Sequence, residues 1–172
     1  MQDHHFIYTT PKASQITDAI SLLKKAAQRL QSQNIKQWSY WLDPPAERLE
    51  WLQEGFEKGQ FTFVYKDEKL IATYRLMDVD LKYWGKKEES AYYIHSLVVD
   101  PDFKGQKIGS HLIHRIFQKA LIAKKQFLRL DCDATNDGLC QYYERLGFEK
   151  VGQVQMELSL NALFERPVLN KK

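Results

Sequence analysis

The stretch Leu97-Val98-Val99-Asp100-Pro101-Asp102-Phe103-Lys104-Gly105-Gln106-Lys107-Ile108-Gly109-Ser110 decides the fold. It passes from a β-branched run, through a turn marked by Asp-Pro-Asp and glycine, into a helical pattern. The helix is marked by Leu112, Ile113, Ile116, Phe117, Ala120 and Leu121, which share one face. A helix start exposes amide N–H groups without intrahelical partners and carries about half a positive charge, which suits a phosphate. Gly105 can adopt dihedrals closed to other residues, Gly109 lacks the Cβ that would hold an anion off, and Lys104 and Lys107 add charge. The spacing fits neither GxxxxGK(S/T) nor GxGxxG, so a nucleoside triphosphate loop and a dinucleotide fold are both excluded.

Outward from this turn the chain alternates. Ala91–Val99 reads as the strand feeding it, Gln126–Cys132 as the strand after its helix, Asn136–Leu146 as a further helix closed by Gly147, and Phe148–Leu160 as one or two final strands. Upstream, Ser14–Gln33 reads as a helix capped by Ser14 or Thr17, and Ala46–Lys58 as a second helix started behind Pro44-Pro45. Phe61–Tyr65 and Lys69–Met77 form a hairpin about Lys66-Asp67-Glu68, and residues 79–90 a polar loop carrying Trp84. An antiparallel start followed by strand–helix–strand units predicts one mixed α/β domain over residues 1–172.

In the later helix, Asn136, Leu139, Tyr143 and Leu146 fall on one stripe, with Tyr142 turned about 100° away. Asn136 as a cap and Tyr143 as core filler would explain the pattern without chemistry. Taken together, however, the turn resembles the R/Q-x-x-G-x-G/A acyl-coenzyme A signature of the GNAT N-acetyltransferase superfamily. The helix resembles its N-x-x-A/L-x-x-x-Y-x-x-x-G-F segment. The pair, in this order with a strand between, is more specific than either half. Two positions depart from the pattern: Lys104 stands for Arg or Gln, and Lys107 for Gly.

The resemblance implies a GNAT-like mixed sheet with antiparallel N-terminal strands and a splayed parallel central pair, flanked by helices, and acetyl-coenzyme A as cofactor. Leu97, Val98 and Val99 would run beside the pantetheine arm, with backbone hydrogen bonds from Leu97 and Val99. Lys104, Gly105, Gln106, Lys107, Ile108, Gly109 and Ser110 would wrap the pyrophosphate. Asn136 and Leu139 would lie on the cofactor side, and Tyr143 would point at the thioester sulfur. The implied reaction is direct attack of an amine on the acetyl thioester, so Cys132 and Cys140 are not nucleophiles and no metal is called for. An alkylamine of pKa about 10.4 is only about 0.04% neutral at pH 7, a cost of about 4.6 kcal/mol that a base must handle. His95, two residues before Leu97 and matching a position where a base, usually Glu, often stands, is the candidate; a water route through Ser96 competes with it. Proton donation from a phenol to a thiolate is uphill by roughly 2 kcal/mol, which favours hydrogen bonding by Tyr143 over full transfer.

The acceptor is expected to be a small-molecule primary amine. Trp38, Tyr40, Trp41, Trp51, Tyr83 and Trp84 could hold it by cation–π contact, although core packing explains most of them. Asp43, Asp78, Asp80, Glu88 and Glu89 could attract a cation, although such loop charges are usually solvated. The alternative from another class is a non-catalytic acyl-coenzyme A sensor or scaffold. A net charge of +3 announces no nucleic-acid partner, no apolar run is long enough to span a bilayer, and MQDHHFIYTT lacks signal-peptide character. A cytoplasmic protein is therefore expected, with pairing of the final strands allowing a homodimer. Two cysteines without metal-ligand spacing are expected to be reduced thiols.

Overall fold

The computed structural model describes residues 5–169, so the first four residues of MQDHHFIYTT lie outside it. The strand order is β1-β2-β3-β4-β5-β7-β6: β1 Ile7–Thr9, β2 Phe61–Lys66, β3 Lys69–Met77, β4 Ala91–Val99, β5 Phe127–Asp133, β6 Glu149–Gln155 and β7 Leu160–Pro167. Four helices accompany the sheet: α1 Ile16–Ser32, α2 Ala46–Glu57, α3 Ile108–Ile122 and α4 Asp137–Arg145. The fold is the mixed α/β sheet expected: β4 pairs parallel with β5, and β1–β2, β2–β3, β5–β7 and β6–β7 pair antiparallel.

The chain packs as two compact units. The first runs to Leu76 and includes Ser96–Gly109; the second comprises Met77–His95 and the chain from Ser110 onward. In the first, Ala19, Leu22, Leu23, Ala26 and Ala27 of α1 bury one stripe against Leu52, Phe56, Phe61, Phe63 and Val98. The hairpin closes through Asp67 and Glu68, both left-handed at φ 48° and 62°, as a two-residue turn matched to strand twist requires. α1 begins behind a 3₁₀ turn, Ala13–Gln15, with Gln15 at its N-cap, so neither Ser14 nor Thr17 caps it. The Asp100 amide donates to the Ile71 carbonyl at 2.7 Å and fixes the end of β4 to β3.

In the second unit the parallel ladder covers only Ala91↔Phe127 to Ile94↔Leu130, while β5 continues to Asp133 against β7. Beyond Ile94, Ser96 takes φ 51° and breaks the extended run. Two strands exceed the sequence reading. β1 is a short edge strand, and β7 begins where the reading ends, inserting between β5 and β6 so that the earlier strand lies outermost. Among the described residues no helix is long and apolar enough to cross a membrane.

Candidate active site

In the first unit, Leu97 and Val99 are half-buried and Val98 is buried among the core residues. Asp100, 3% exposed, then caps a 3₁₀ turn, accepting the Asp102 amide at 2.9 Å. Burial alone would raise its carboxyl, but Lys25, the Asp102 amide and Lys69 outweigh it and hold it below the usual range. Lys25 Nζ lies 2.7 Å from both Asp100 and Asp102. Lys69 stands 5.0 Å over the Phe103 ring, and Lys66 donates to Gln106 at 3.4 Å. Lys104, Gly105 and Lys107 are exposed, and Ile108 is buried at the start of α3, whose first turn includes Gly109 and Ser110.

Gly105 takes φ 84° and Lys107 φ 57°, two left-handed residues with one between. A Cβ at Gly105 would meet nothing within 4 Å, so its dihedral, not space, calls for glycine. Lys107 occupies a backbone conformation that glycine would adopt without cost, which is a physical reason for the glycine of the pattern at this position.

In the second unit, α4 shows what the Asn-Tyr-Gly-Phe spacing does. Asn136 Oδ1 accepts the Leu139 amide at 3.1 Å, so Asn136 is the helix cap. At the other end Gly147, at φ 85°, closes a Schellman motif: the Gly147 amide donates to Glu144 and the Phe148 amide to Tyr143. The Phe148 ring stands edge-on to Tyr143 at 6.0 Å, and Phe164 packs at 5.9 Å. Tyr143 is thus fixed from both ends of its helix and is 8% exposed. Burial, with the nearby Cys132 thiol second, pushes its phenol well above the ordinary value of about 10. Tyr142 is half-buried and hydrogen-bonded to the Ser110 side chain.

His95, 9% exposed, sits between two carboxylates. Its Nε2 lies 2.6 Å from Asp80 Oδ2 and its Nδ1 3.4 Å from Asp131 Oδ1. Each carboxylate is held in turn. Asp80, 1% exposed, accepts the Tyr83 amide at 3.1 Å, and Asp131 accepts from Asn161 Nδ2 at 2.5 Å, with Ser159 bonded to Asn161. The Tyr83 ring stacks on the imidazole at 4.9 Å. The three side chains bring ligand-type atoms within 4.8 Å of one another. The two carboxylates address opposite ring nitrogens, Asp80 at Nε2 and Asp131 at Nδ1.

The sequence reading reached His95 and missed the roles of Asp80 and Asp131. Asp80 stands in the sequence among loop charges of the kind usually solvated, and Asp131 is not singled out there. The available signal was register: Asp131 and His95 each stand one step beyond the last parallel pair, Ile94↔Leu130. The aromatic residues are largely engaged already. Arg48 covers Tyr40 at 4.5 Å, Arg75 covers Trp51 at 3.9 Å and Arg129 faces Trp84 at 5.1 Å, while Trp41, Tyr83 and Trp84 are buried. Asp78 pairs with Lys125, Glu88 with Lys86 and Glu89 with Arg129.

Residues 22–148 match the acetyltransferase (GNAT) family. Among relatives, the uncharacterized N-acetyltransferase YesJ of Bacillus subtilis is 29% identical over 167 residues, covering 94% of this chain and 90% of its own. A GNAT-family acetyltransferase of Listeria monocytogenes superposes with a TM-score of 0.75 at 21% identity, covering 94% of both chains. The PaiA N-acetyltransferase of Thermoplasma acidophilum, solved in complex with coenzyme A, superposes with a TM-score of 0.62 at 15% identity, over 94% of this chain and 98% of that one. With three quarters of its length inside the family match, this chain belongs to the GNAT family of acetyltransferases.

Proposed function

We propose that the protein is an acetyl-coenzyme A dependent N-acetyltransferase acting on a primary amine of a small molecule. The single observation that carries the reading is the buried Asp80–His95–Asp131 cluster, an imidazole with a carboxylate facing each ring nitrogen. Asp80 accepts the Nε2 proton, so the neutral ring presents its lone pair at Nδ1. When a proton arrives there, the resulting imidazolium finds Asp131 facing it, which lowers the cost of taking a proton from an ammonium. The amine gives up two protons in all: the ammonium would pass one to His95, which releases it to solvent, and after attack the second would pass from the adduct's nitrogen to the departing sulfur, so that the carrier leaves as its thiol.

The residues of the first unit fit the diphosphate of the cofactor. The left-handed pair Gly105 and Lys107, the start of α3, and the lysines at 104 and 107 supply amide donors and positive charge of the kind an anion needs. Lys104 to Ser110 would hold that group, and the backbones of Leu97 and Val99 would hydrogen-bond the pantetheine arm as an added strand does. Bound acetyl-coenzyme A would supply the activated acetyl group as a thioester. Asn136 and Leu139 would border the arm, and Tyr143 would donate a hydrogen bond to the departing sulfur. Its raised phenol makes full proton transfer still more unfavourable than for a free tyrosine, so it acts as a donor that stays protonated.

An assay of free-thiol release from acetyl-coenzyme A over a panel of primary amines tests this reading. Amine-dependent release supports it. Tight cofactor binding with no release for any amine would instead favour a sensor or scaffold of the same fold.

A further inference from the structure

Cys132 and Cys140 are eight positions apart and have no part in a direct-attack reaction, yet the fold brings their sulfurs to 3.7 Å. Cys132 is buried near the end of β5; Cys140 is half-buried in the first turn of α4. A built turn puts them there. Asp133 Oδ1 accepts both the Thr135 amide, at 2.8 Å, and the Thr135 hydroxyl, at 2.6 Å. The Asn136 amide donates to the Asp133 carbonyl at 3.1 Å, and the Cys140 amide donates to the Asn136 carbonyl at 3.0 Å. The helix therefore starts folded back over the strand end, with the Cys140 thiol 3.9 Å from the Asp133 carbonyl.

We propose that Cys132 and Cys140 form a dithiol modification site that reacts with low-molecular-weight disulfides and closes to an intramolecular disulfide. Cys140, the accessible member, loses its proton, and its thiolate attacks one sulfur of the disulfide RSSR. The S–S bond of RSSR breaks, one RSH leaves carrying a proton, and Cys140 bears the SR group. Cys132 then gives up its proton, its Sγ attacks the Cys140 sulfur, and the second RSH departs. Two electrons pass from the cysteine pair to RSSR, and both cysteine protons end on the two RSH molecules.

The order follows from position. Burial first, and the neighbouring Cys140 second, keep Cys132 from ionising readily, so it suits the resolving step better than the opening one. The sulfurs must close from 3.7 Å to the bonded distance of about 2.05 Å, a movement within reach of side-chain rotation and a slight shift of the first turn of α4. The ring so formed encloses Asp133 to Leu139.

The test uses the full chain, freshly reduced, exposed to oxidised glutathione, then acid-quenched, alkylated and read by intact mass and by thiol titration in denaturant. Both thiols should disappear together with the loss of two hydrogens and no retained glutathione, and dithiothreitol should restore them. Cys132→Ser should stop at one glutathione on Cys140, and Cys140→Ser should leave Cys132 unmodified. The proposal fails if the unmodified chain retains a stable glutathione adduct or links to a second copy. It also fails if both its thiols survive prolonged exposure to excess oxidised glutathione. The unmutated chain alone decides between these outcomes, whether or not a variant folds.

Discussion

Two clusters of the same plan stand in the two units. In the first, a lysine lies between two aspartates, with Lys25 at 2.7 Å from both Asp100 and Asp102. In the second, a histidine lies between two aspartates, with His95 at 2.6 Å from Asp80 and 3.4 Å from Asp131. The geometry is alike and the chemistry is not. The Lys25 pKa is raised, first by its hydrogen bond to Asp100 and then by that to Asp102, so it stays an ammonium at every pH at which the protein works. An imidazole, unlike an ammonium, has two ring nitrogens, one of which accepts when the ring is neutral. The first cluster ties α1 to the turn below α3; the second can carry a proton. The cation, more than the acidic pair, separates a clasp from the base proposed above.

The sharpest way to break this contrast is to remove the cation from each. His95→Gln should lower the rate of amine-dependent thiol release by about 10²- to 10⁴-fold, the range for a lost general base. Lys25→Gln should keep the rate within about threefold and lower the melting temperature instead, as loss of one charge-assisted pair does. Equal rate losses in the two variants would erase the distinction.

Tyr143→Phe should lower turnover by about 10²-fold, as for loss of one donor to a developing anion, while leaving affinity for the acylated carrier nearly unchanged. Comparable loss in Tyr142→Phe, whose hydroxyl is engaged with Ser110, would show that the wrong phenol has been assigned.

Asp80→Asn keeps the shape of the second cluster and removes the charge that fixes the ring. A ten- to hundred-fold fall in turnover, about the effect of losing a partner that orients a working histidine, is expected. Without that carboxylate the imidazolium is less favoured, so the acidic limb of the rate profile should move toward lower pH. A rate loss with the limb unmoved would mean that Asp80 supports the loop through Tyr83 and nothing more.

The first cluster answers to stability. Asp100→Asn keeps an oxygen for the Asp102 amide but loses the buried charge that faces two lysines, and should cost about 1 to 3 kcal/mol in urea unfolding at pH 7. The sign of its pH dependence is set by a lowered carboxyl. The contribution is complete above the unfolded-state value of about 3.9 and disappears as pH falls through the lower folded value. The gap between the unmutated chain and the variant should therefore be constant from pH 6 to 8 and shrink only in strong acid. A gap that closes near pH 6 would assign the effect to another group.

Local spacing carried the readable part of this molecule. The turn from Leu97 to Ser110 and the helix from Asn136 to Phe148 announce themselves because cap, stripe and Schellman glycine are encoded within a few residues of one another. What stayed hidden depends on pairing between distant segments. Asp131 alternates with buried Leu130 and Cys132, so it reads as solvent-facing until the parallel register sets it beside His95. Asp80 lies in a loop whose polar composition conceals that its carboxylate is buried. β7 lies beyond the strands read from the sequence, which end at Leu160; its polar residues are held by distant partners, Asn161 bonding Asp131 and Glu165 taking the buried Arg129 at 3.0 Å.

The smallest effect is the most discriminating for the first unit, because Lys107 joins a backbone cost to a charge benefit. Its φ of 57° is a conformation that a side chain makes unfavourable by about 1 kcal/mol and glycine does not. Lys107→Gly should relieve that strain and also raise the entropy of the unfolded chain, and the two effects oppose each other. The net change in unfolding free energy should stay below about 1 kcal/mol in either direction. The charge benefit is read separately, by titrating coenzyme A at two salt concentrations. If the ammonium helps hold the diphosphate, the variant should bind more weakly at low salt and approach the unmutated chain at high salt, where screening shortens the reach of an exposed charge. Equal weakening at both salt concentrations would mean that the turn itself had changed shape. Unchanged binding at both would leave the anion to the amides of the turn and to Lys104.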